Sequence, residues 1–160
     1  MLPITHEELD DLAARAAQGP RRRLNRNVHG SPEDPVQRLY VAACRDSYFR
    51  PHRHPERGEF AMVLRGHSTV LLLDATGLVL DRLELGPGQG TQGFDLEAGV
   101  WHAWIAQEDG SLFFEVKAGP YDPAGTAFAP WSPAEGTPEA GAFREKLRHA
   151  RTGQRVDRGA

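Results

Sequence analysis

The sequence predicts an all-β domain, a barrel or sandwich of short strands, with one helix before it and a short helical extension behind. Three observations carry this. Apolar runs of strand rather than helix length recur through the middle of the chain. Turn signals fall between most of them: Pro55-Glu-Arg-Gly58, Arg65-Gly66-His67, Ala75-Thr-Gly77, Gly86-Pro-Gly88, Glu97-Ala-Gly99 and Glu108-Asp-Gly110. Gly (17) and Pro (12) are frequent but dispersed, as in a chain of many turns rather than a collagen-like or low-complexity one.

The first segment reads as a helix. Thr5 with Glu8 three residues on forms a capping box, Leu9, Leu12, Ala13 and Ala16 share one face, and Gly19-Pro20 stops it. Strands are expected at 36–43, 48–51, 59–65, 69–74, 79–84, 91–96, 102–106 and 112–117. The 59–65 strand is apolar on both faces, Ala61 and Val63 on one and Phe60, Met62 and Leu64 on the other. That pattern fits a barrel wall covered from outside. Past Tyr121 the chain is rich in Pro, Gly and Ala. Thr137-Pro138-Glu139 then opens a short basic amphipathic helix, with Phe143, Leu147 and Ala150 on its apolar face.

Composition limits the function classes. A chain of 160 residues, 39% apolar, supports one core. No run approaches the ~20 apolar residues of a membrane span, and the N-terminus lacks the basic flank and apolar stretch of a secretory signal. Cys44 is the single cysteine, which excludes an internal disulfide and argues against a Cys-based zinc site. A cytoplasmic protein is the expectation. Net charge is −3, from 19 basic and 22 acidic residues, opposite to the basic excess of nucleic-acid binders. Arg21-Arg22-Arg23 with Arg26 reads as a solvated loop.

The chemistry concentrates in Pro51-His52-Arg53-His54-Pro55-Glu56-Arg57-Gly58-Glu59. His52 and His54, two apart, point to one face of a strand. The turn that follows lets Glu59 come back beside them, and Gly66 sits at the next reversal. Gly99-Val-Trp-His102 offers a third imidazole. Three imidazoles and a carboxylate suit one divalent transition metal: Fe, Mn, Ni, Co or Zn. Four protein ligands leave one or two positions open for water or a substrate, as in a reactive rather than a closed structural site. His6, His67 and His149 stand alone and read as surface or hydrogen-bonded residues.

These residues resemble the two motifs of the cupin superfamily. His52, His54, Glu59 and Gly66 match the first, and Gly99 and His102 match the second; Asp46 departs from the first, and Glu97 and Ala106 from the second, at turn and packing positions. Within cupins the chain is most similar to the WbuC family of cupin-fold metalloproteins. The likeness lies in Asn27-Val-His29, Asp34-Pro-Val-Gln-Arg38, Ser47-Tyr-Phe-Arg-Pro-His-Arg-His54, Phe114-Glu-Val-Lys-Ala-Gly-Pro-Tyr121 and Phe128-Ala-Pro-Trp131-Ser-Pro133. The resemblance implies a cupin double-stranded β-helix, a jelly-roll barrel, over residues 21–136. Residues 1–20 are then a helix packed on it, and 137–160 a helical, partly disordered extension. It implies His52, His54, Glu59 and His102 as metal ligands and a setting in bacterial surface-polysaccharide synthesis. Cupins commonly pair, and the two-sided apolar strands agree with a homodimer.

Strand alternation nominates pocket residues. Arg50 shares the face of His52 and His54, and Trp104 that of His102. Arg38 and Tyr40 share one face whose direction is open, and Glu115 faces either in or out. Arg38, Tyr48, Arg50, Trp104 and Tyr121 are the candidate substrate contacts, and Glu115 the candidate general acid or base. Asn27 and His29 are candidates for the barrel mouth. Trp101 and Trp131 read as packing residues. The leading functional reading is a metal-dependent enzyme of isomerase, epimerase or lyase type on a small polar molecule, a sugar or sugar-nucleotide derivative, held in the barrel. An Fe(II)-dependent dioxygenase and a non-catalytic metal- and ligand-binding module remain the alternatives, with neither nucleic acid nor membrane as partner.

Overall fold

The computed structural model describes residues 1 and 3–157. Helix α1 (His6–Gln18) begins at Thr5, whose hydroxyl accepts from the Glu8 amide while the Glu8 carboxylate accepts from the Thr5 amide. It ends at Gly19. Ten strands follow: β1 (Arg23–Asn27), β2 (Val36–Ala43), β3 (His52–Arg53), β4 (Glu59–Arg65), β5 (Ser68–Leu73), β6 (Val79–Leu85), β7 (Gly93–Leu96), β8 (Trp101–Ala106), β9 (Ser111–Ala118) and β10 (Ala127–Phe128). A single 3₁₀ turn, Pro123–Gly125, precedes β10, and α2 (Ala140–His149) comes last.

The strands form two antiparallel five-stranded sheets. One has the order β1-β2-β9-β4-β7 and the other β10-β3-β8-β5-β6. Their inner faces meet over Val41, Ala61, Val63, Val70, Leu85, Trp104 and Phe113. Each outer face is partly covered by one helix. Leu12 and Ala16 of α1 pack on Ala42 and Leu112 of the first sheet. Phe143 and Leu147 of α2 pack on Leu71, Leu73, Ala103 and Ile105 of the second. This explains why β5 is apolar from Val70 to Leu73: Val70 and Leu72 face the barrel interior while Leu71 and Leu73 face α2.

Three strands differ from the sequence expectation: β1 and β10, at segments where no strand is expected, and β3. Residues 23–27, read as part of a solvated loop, form β1, paired with β2 from Arg23 opposite Ala43 to Asn27 opposite Leu39. Leu24 alone carries its apolar signal, because the other face is polar. The strand expected at 48–51 appears instead at His52–Arg53, since Tyr48 is drawn under α2. The expected disordered end lies partly on residues 158–160, outside the described residues. The preceding segment is docked: Val156 is buried, and the Val79 amide donates to the Gln154 carbonyl at 2.8 Å. Among the described residues, no helix is long and apolar enough to cross a membrane.

Candidate metal centre

Three of the four predicted ligands come from one sheet and the fourth from the other. β3 sets His52 directly across from His102 of β8, with ring centroids 4.3 Å apart. His54 lies two residues on, its ring 5.3 Å from that of His52 and 6.0 Å from that of His102. Glu59 opens β4 in the facing sheet, points inward with Ala61 and Val63, and places Oε2 3.0 Å from His54 Nε2. One ligand atom from each residue lies within 4.8 Å of all the others. Two glycines permit this approach. A Cβ on Gly58 would stand 2.6 Å from the Leu96 carbonyl oxygen. Gly99 adopts φ +81° and donates its amide to the His54 carbonyl at 2.8 Å.

The imidazoles are oriented from behind. Nδ1 of His52 lies 2.8 Å from the Arg50 carbonyl, Nδ1 of His102 3.0 Å from that of Val100, and Nδ1 of His54 3.2 Å from that of Gly125. A carbonyl only accepts, so in His52 and His102 the proton sits on Nδ1 and the Nε2 lone pair is left to the centre of the cluster; His54 Nδ1 also lies 3.2 Å from the Thr126 hydroxyl, and its Nε2 faces the Glu59 carboxylate. His102 Nε2 is buried without a hydrogen-bond partner. An orphaned buried acceptor is costly, and a cation among these four residues would satisfy it. The residues therefore fit a divalent metal.

The electrostatics agree. Burial, then the neighbouring His102, pushes the His52 imidazole down to about 3. Burial likewise lowers His102. Both are thus neutral, the form a metal requires. Burial alone would raise Glu59, but the His54 hydrogen bond and the Lys117 ammonium outweigh it and hold the carboxyl at about 2. A carboxylate among neutral imidazoles matches the intermediate-to-hard divalent ions better than a soft monovalent one.

One participant escaped the sequence reading. Lys117 on β9 lies directly across from Glu59 in the ladder. Its Nζ is 3.6 Å from Glu59 Oε2 and in contact with Glu115 Oε1. Burial, then the Glu59 charge, raises the Glu115 carboxyl above its ordinary range. Lys117 rises too: its desolvation is outweighed by the two carboxylates. Glu115 and Lys117 form the floor of a cleft of ≈730 Å³ on the inner side of the first sheet. Its walls include Gln37, Leu39, Val41, Arg57, Phe113 and, at the mouth, Asn27, His29 and Tyr121. Arg57 donates to the carbonyls of Ala118 and Pro120.

The predicted pocket residues divide. Glu115 faces inward at the site, Tyr121 stands 59% exposed at the cleft rim, and Asn27 and His29 lie at the mouth. Trp104 is an interior wall stacked on Phe113 at 3.9 Å. Arg38, Tyr48 and Arg50 lie outside the cleft lining. Arg38 is exposed on the outer face of β2, because Gln37, Leu39 and Val41 take the inner one. Tyr48 is buried beneath α2 and donates its hydroxyl to the Pro133 carbonyl at 3.0 Å. The Arg50 guanidinium lies over the Phe128 ring, 5.1 Å from its centroid. It donates to Ser132 Oγ and to the carbonyls of Ala129 and Ser132, fastening the 129–132 segment. Trp101 and Trp131 pack against the α2 core, as expected.

Comparisons with known proteins bear on the fold. A family model described as "Domain of unknown function (DUF6016)" matches residues 4–85. No curated protein matches the chain. A double-stranded β-helix protein from Klebsiella pneumoniae superposes with a TM-score of 0.55 at 16% identity, covering 81% of this chain and 98% of that one. Oxalate oxidase in complex with the substrate analogue glycolate gives 0.53 at 19% identity, covering 84% and 69%. KdgF from a Halomonas species gives 0.50 at 20% identity, covering 64% and 82%. These likenesses identify the two-sheet barrel as the cupin double-stranded β-helix. The matching family model is DUF6016, not the WbuC family that the motifs resemble.

Proposed function

The chain belongs to the DUF6016 family, whose description assigns no activity, and from the site itself we propose a metal-dependent cupin enzyme acting on a small polar molecule. The observation that carries this reading is the convergence of three Nε2 atoms and one carboxylate, with every Nδ1 tied to a backbone carbonyl. His52, His54, Glu59 and His102 would hold one divalent transition metal. When bound, such an ion supplies Lewis acidity toward a carbonyl or hydroxyl oxygen of the substrate.

The remaining roles fall to the chain. Lys117 fixes Glu59 in its inward rotamer and shares its proton-rich environment with Glu115. Glu115, raised by burial, holds or releases a proton at the cleft floor, as an isomerase, epimerase or lyase requires. The substrate class we assign is a sugar or sugar-nucleotide derivative. Support comes from a cleft wall of amides, Asn25, Asn27 and Gln37, together with Arg23 and Arg57, and from the segments resembling the WbuC family. Cytoplasmic residence belongs to the same reading, supported by a single cysteine, Cys44, that is buried and free.

The test is metal analysis of protein purified without added metal, with His102→Ala as control, followed by sugar-nucleotide turnover and oxygen-uptake assays. One equivalent of transition metal, lost in His102→Ala without loss of the β-sheet circular-dichroism signal, is the expected result. Failure to bind any of Fe, Mn, Ni, Co or Zn at micromolar concentration overturns the metal reading. Bound iron with substrate-dependent oxygen uptake replaces the isomerase-type assignment by an oxygenase.

A further inference from the structure

The segment between β9 and β10, residues 119–126, passes behind His54. The Gly125 carbonyl and the Thr126 hydroxyl each lie 3.2 Å from His54 Nδ1. The other two imidazoles are supported locally, His52 by the Arg50 carbonyl and His102 by the Val100 carbonyl, each two residues earlier in the chain. Of the three, His54 takes its support from a segment 71 residues away. Its orientation therefore depends on how firmly that segment is held.

The Pro123–Gly125 turn does little to hold itself. Asp122 caps it through the Ala124 amide at 2.8 Å, and the Gly125 amide donates to the Asp122 carbonyl at 3.0 Å. Among the described residues its other hydrogen bond is the one to His54. Arg57 meets it from outside. Its Nη1 donates to the carbonyls of Ala118 and Pro120 at 3.0 and 3.1 Å. The rest of the guanidinium packs on Gly125, where a Cβ would overlap Nη2 and stand 3.1 Å from Cζ. Gly125 does not adopt a positive φ, so the missing side chain makes room for Arg57 rather than relieving the backbone. Arg57 itself belongs to the turn between β3 and β4, three residues after His54 and two before Glu59.

We propose that Arg57 is a positioning residue of the metal centre: it braces residues 118–125 against the turn that carries His54 and Glu59, and so fixes the carbonyl that orients the His54 ring. This rests on the reading of His52, His54, Glu59 and His102 as metal ligands. The planar guanidinium suits the task, since one nitrogen grips two carbonyls while the remaining edge stays free to cover Gly125, a division that a compact ammonium does not offer. Loosening the group behind a ligand imidazole lowers metal affinity without removing a ligand. The effect is confined to one ring of three, because His52 and His102 do not lean on this segment.

Two measurements on the full chain test this, and neither includes a substrate, so loss of a substrate contact at Arg57 would not register. The first is calorimetric titration with Co(II) alone. Arg57→Met is expected to raise the Kd about 10–100-fold. Gly125→Ala, whose new methyl displaces the guanidinium while leaving Arg57 in place, is expected to do the same. Arg57→Met/Gly125→Ala is expected to be no weaker than Arg57→Met, because both changes remove one contact. The second is imidazole nitrogen NMR of the metal-free protein. In each single variant the His54 ring signals are expected to move while those of His52 and His102 stay in place. Unchanged Co(II) affinity in the variants, losses that add in the double variant, an unmoved His54 ring, or equal displacement of all three rings overturns the bracing. A wild type that binds none of Fe, Mn, Ni, Co or Zn overturns the metal reading instead, and the metal-free spectra then decide the role of Arg57 by themselves.

Discussion

Replacing Lys117 by Met tests the electrostatic floor of the site. The ammonium lies 3.6 Å from Glu59 Oε2 and contacts Glu115, and the two carboxylate side chains are only 6% and 10% exposed. At an effective dielectric of about 20, one such pair at 3.6 Å is worth roughly 4–5 kcal/mol before desolvation. Breaking a buried pair while leaving its partner typically costs about 3–5 kcal/mol. Methionine keeps most of the aliphatic volume, so the loss is electrostatic rather than a cavity. The apoprotein should lose about 3 kcal/mol, read in urea as a fall in midpoint of about 1.5 M for a slope near 2 kcal/mol/M. Lys117→Met/Glu115→Met should regain at least half of it, since one unpaired carboxylate is gone. A single variant within about 0.5 kcal/mol of wild type, or a double variant no better than the single, would refute the reasoning.

Three further outcomes follow from named contacts. Burial holds the folded His52 at about 3, below its ordinary 6.5. Between those values the unfolded chain binds the extra proton, so apoprotein stability is greatest above pH 6.5. It should fall by about 1.4 kcal/mol per pH unit as pH drops toward 3, a slope measurable by urea titration at pH 7, 6 and 5. Leu147→Ala opens the core beneath α2, where the side chain is 1% exposed. It should cost about 3 kcal/mol, lowering the melting temperature by roughly 6–12 °C. Arg50→Met removes three hydrogen bonds to Ala129 and Ser132 and should cost about 2 kcal/mol; a calorimetric titration should find metal affinity unchanged, whereas a ligand-contacting arginine would leave stability alone and alter turnover.

What was legible in the sequence was local or periodic. The Thr5–Glu8 box, the two-residue spacing of His52 and His54, and the apolar face of residues 143–150 all need only near neighbours to be understood. Register is different in kind. Whether Arg38 or Gln37 faces the cleft depends on which side of β2 meets α1, and Tyr40 and Ala42 settle that through tertiary packing. Arg50 has the right parity to join the histidines, yet the carbonyls of residues 129 and 132 capture its guanidinium before it can. Lys117 could have been suspected, since it alternates with Glu115 on one strand. Its place across from Glu59 is a property of the β4–β9 ladder, which no single segment encodes. β1 was hidden for a related reason, as a strand walled by a cleft on one side shows little apolar alternation.

The division of the ligand set between the sheets has a mechanical consequence. The imidazoles belong to β3 and β8 and their flanking turn, whereas Glu59 belongs to β4 in the opposite wall. An ion gripped by both would act as a rivet through the sandwich, tying the walls at the end away from the apolar filling of Val63, Val70 and Leu85. Prising the layers apart would then demand release of the ion, so saturating metal should raise the melting point by mass action and suppress hydrogen exchange at the amides of β4 and β8 together.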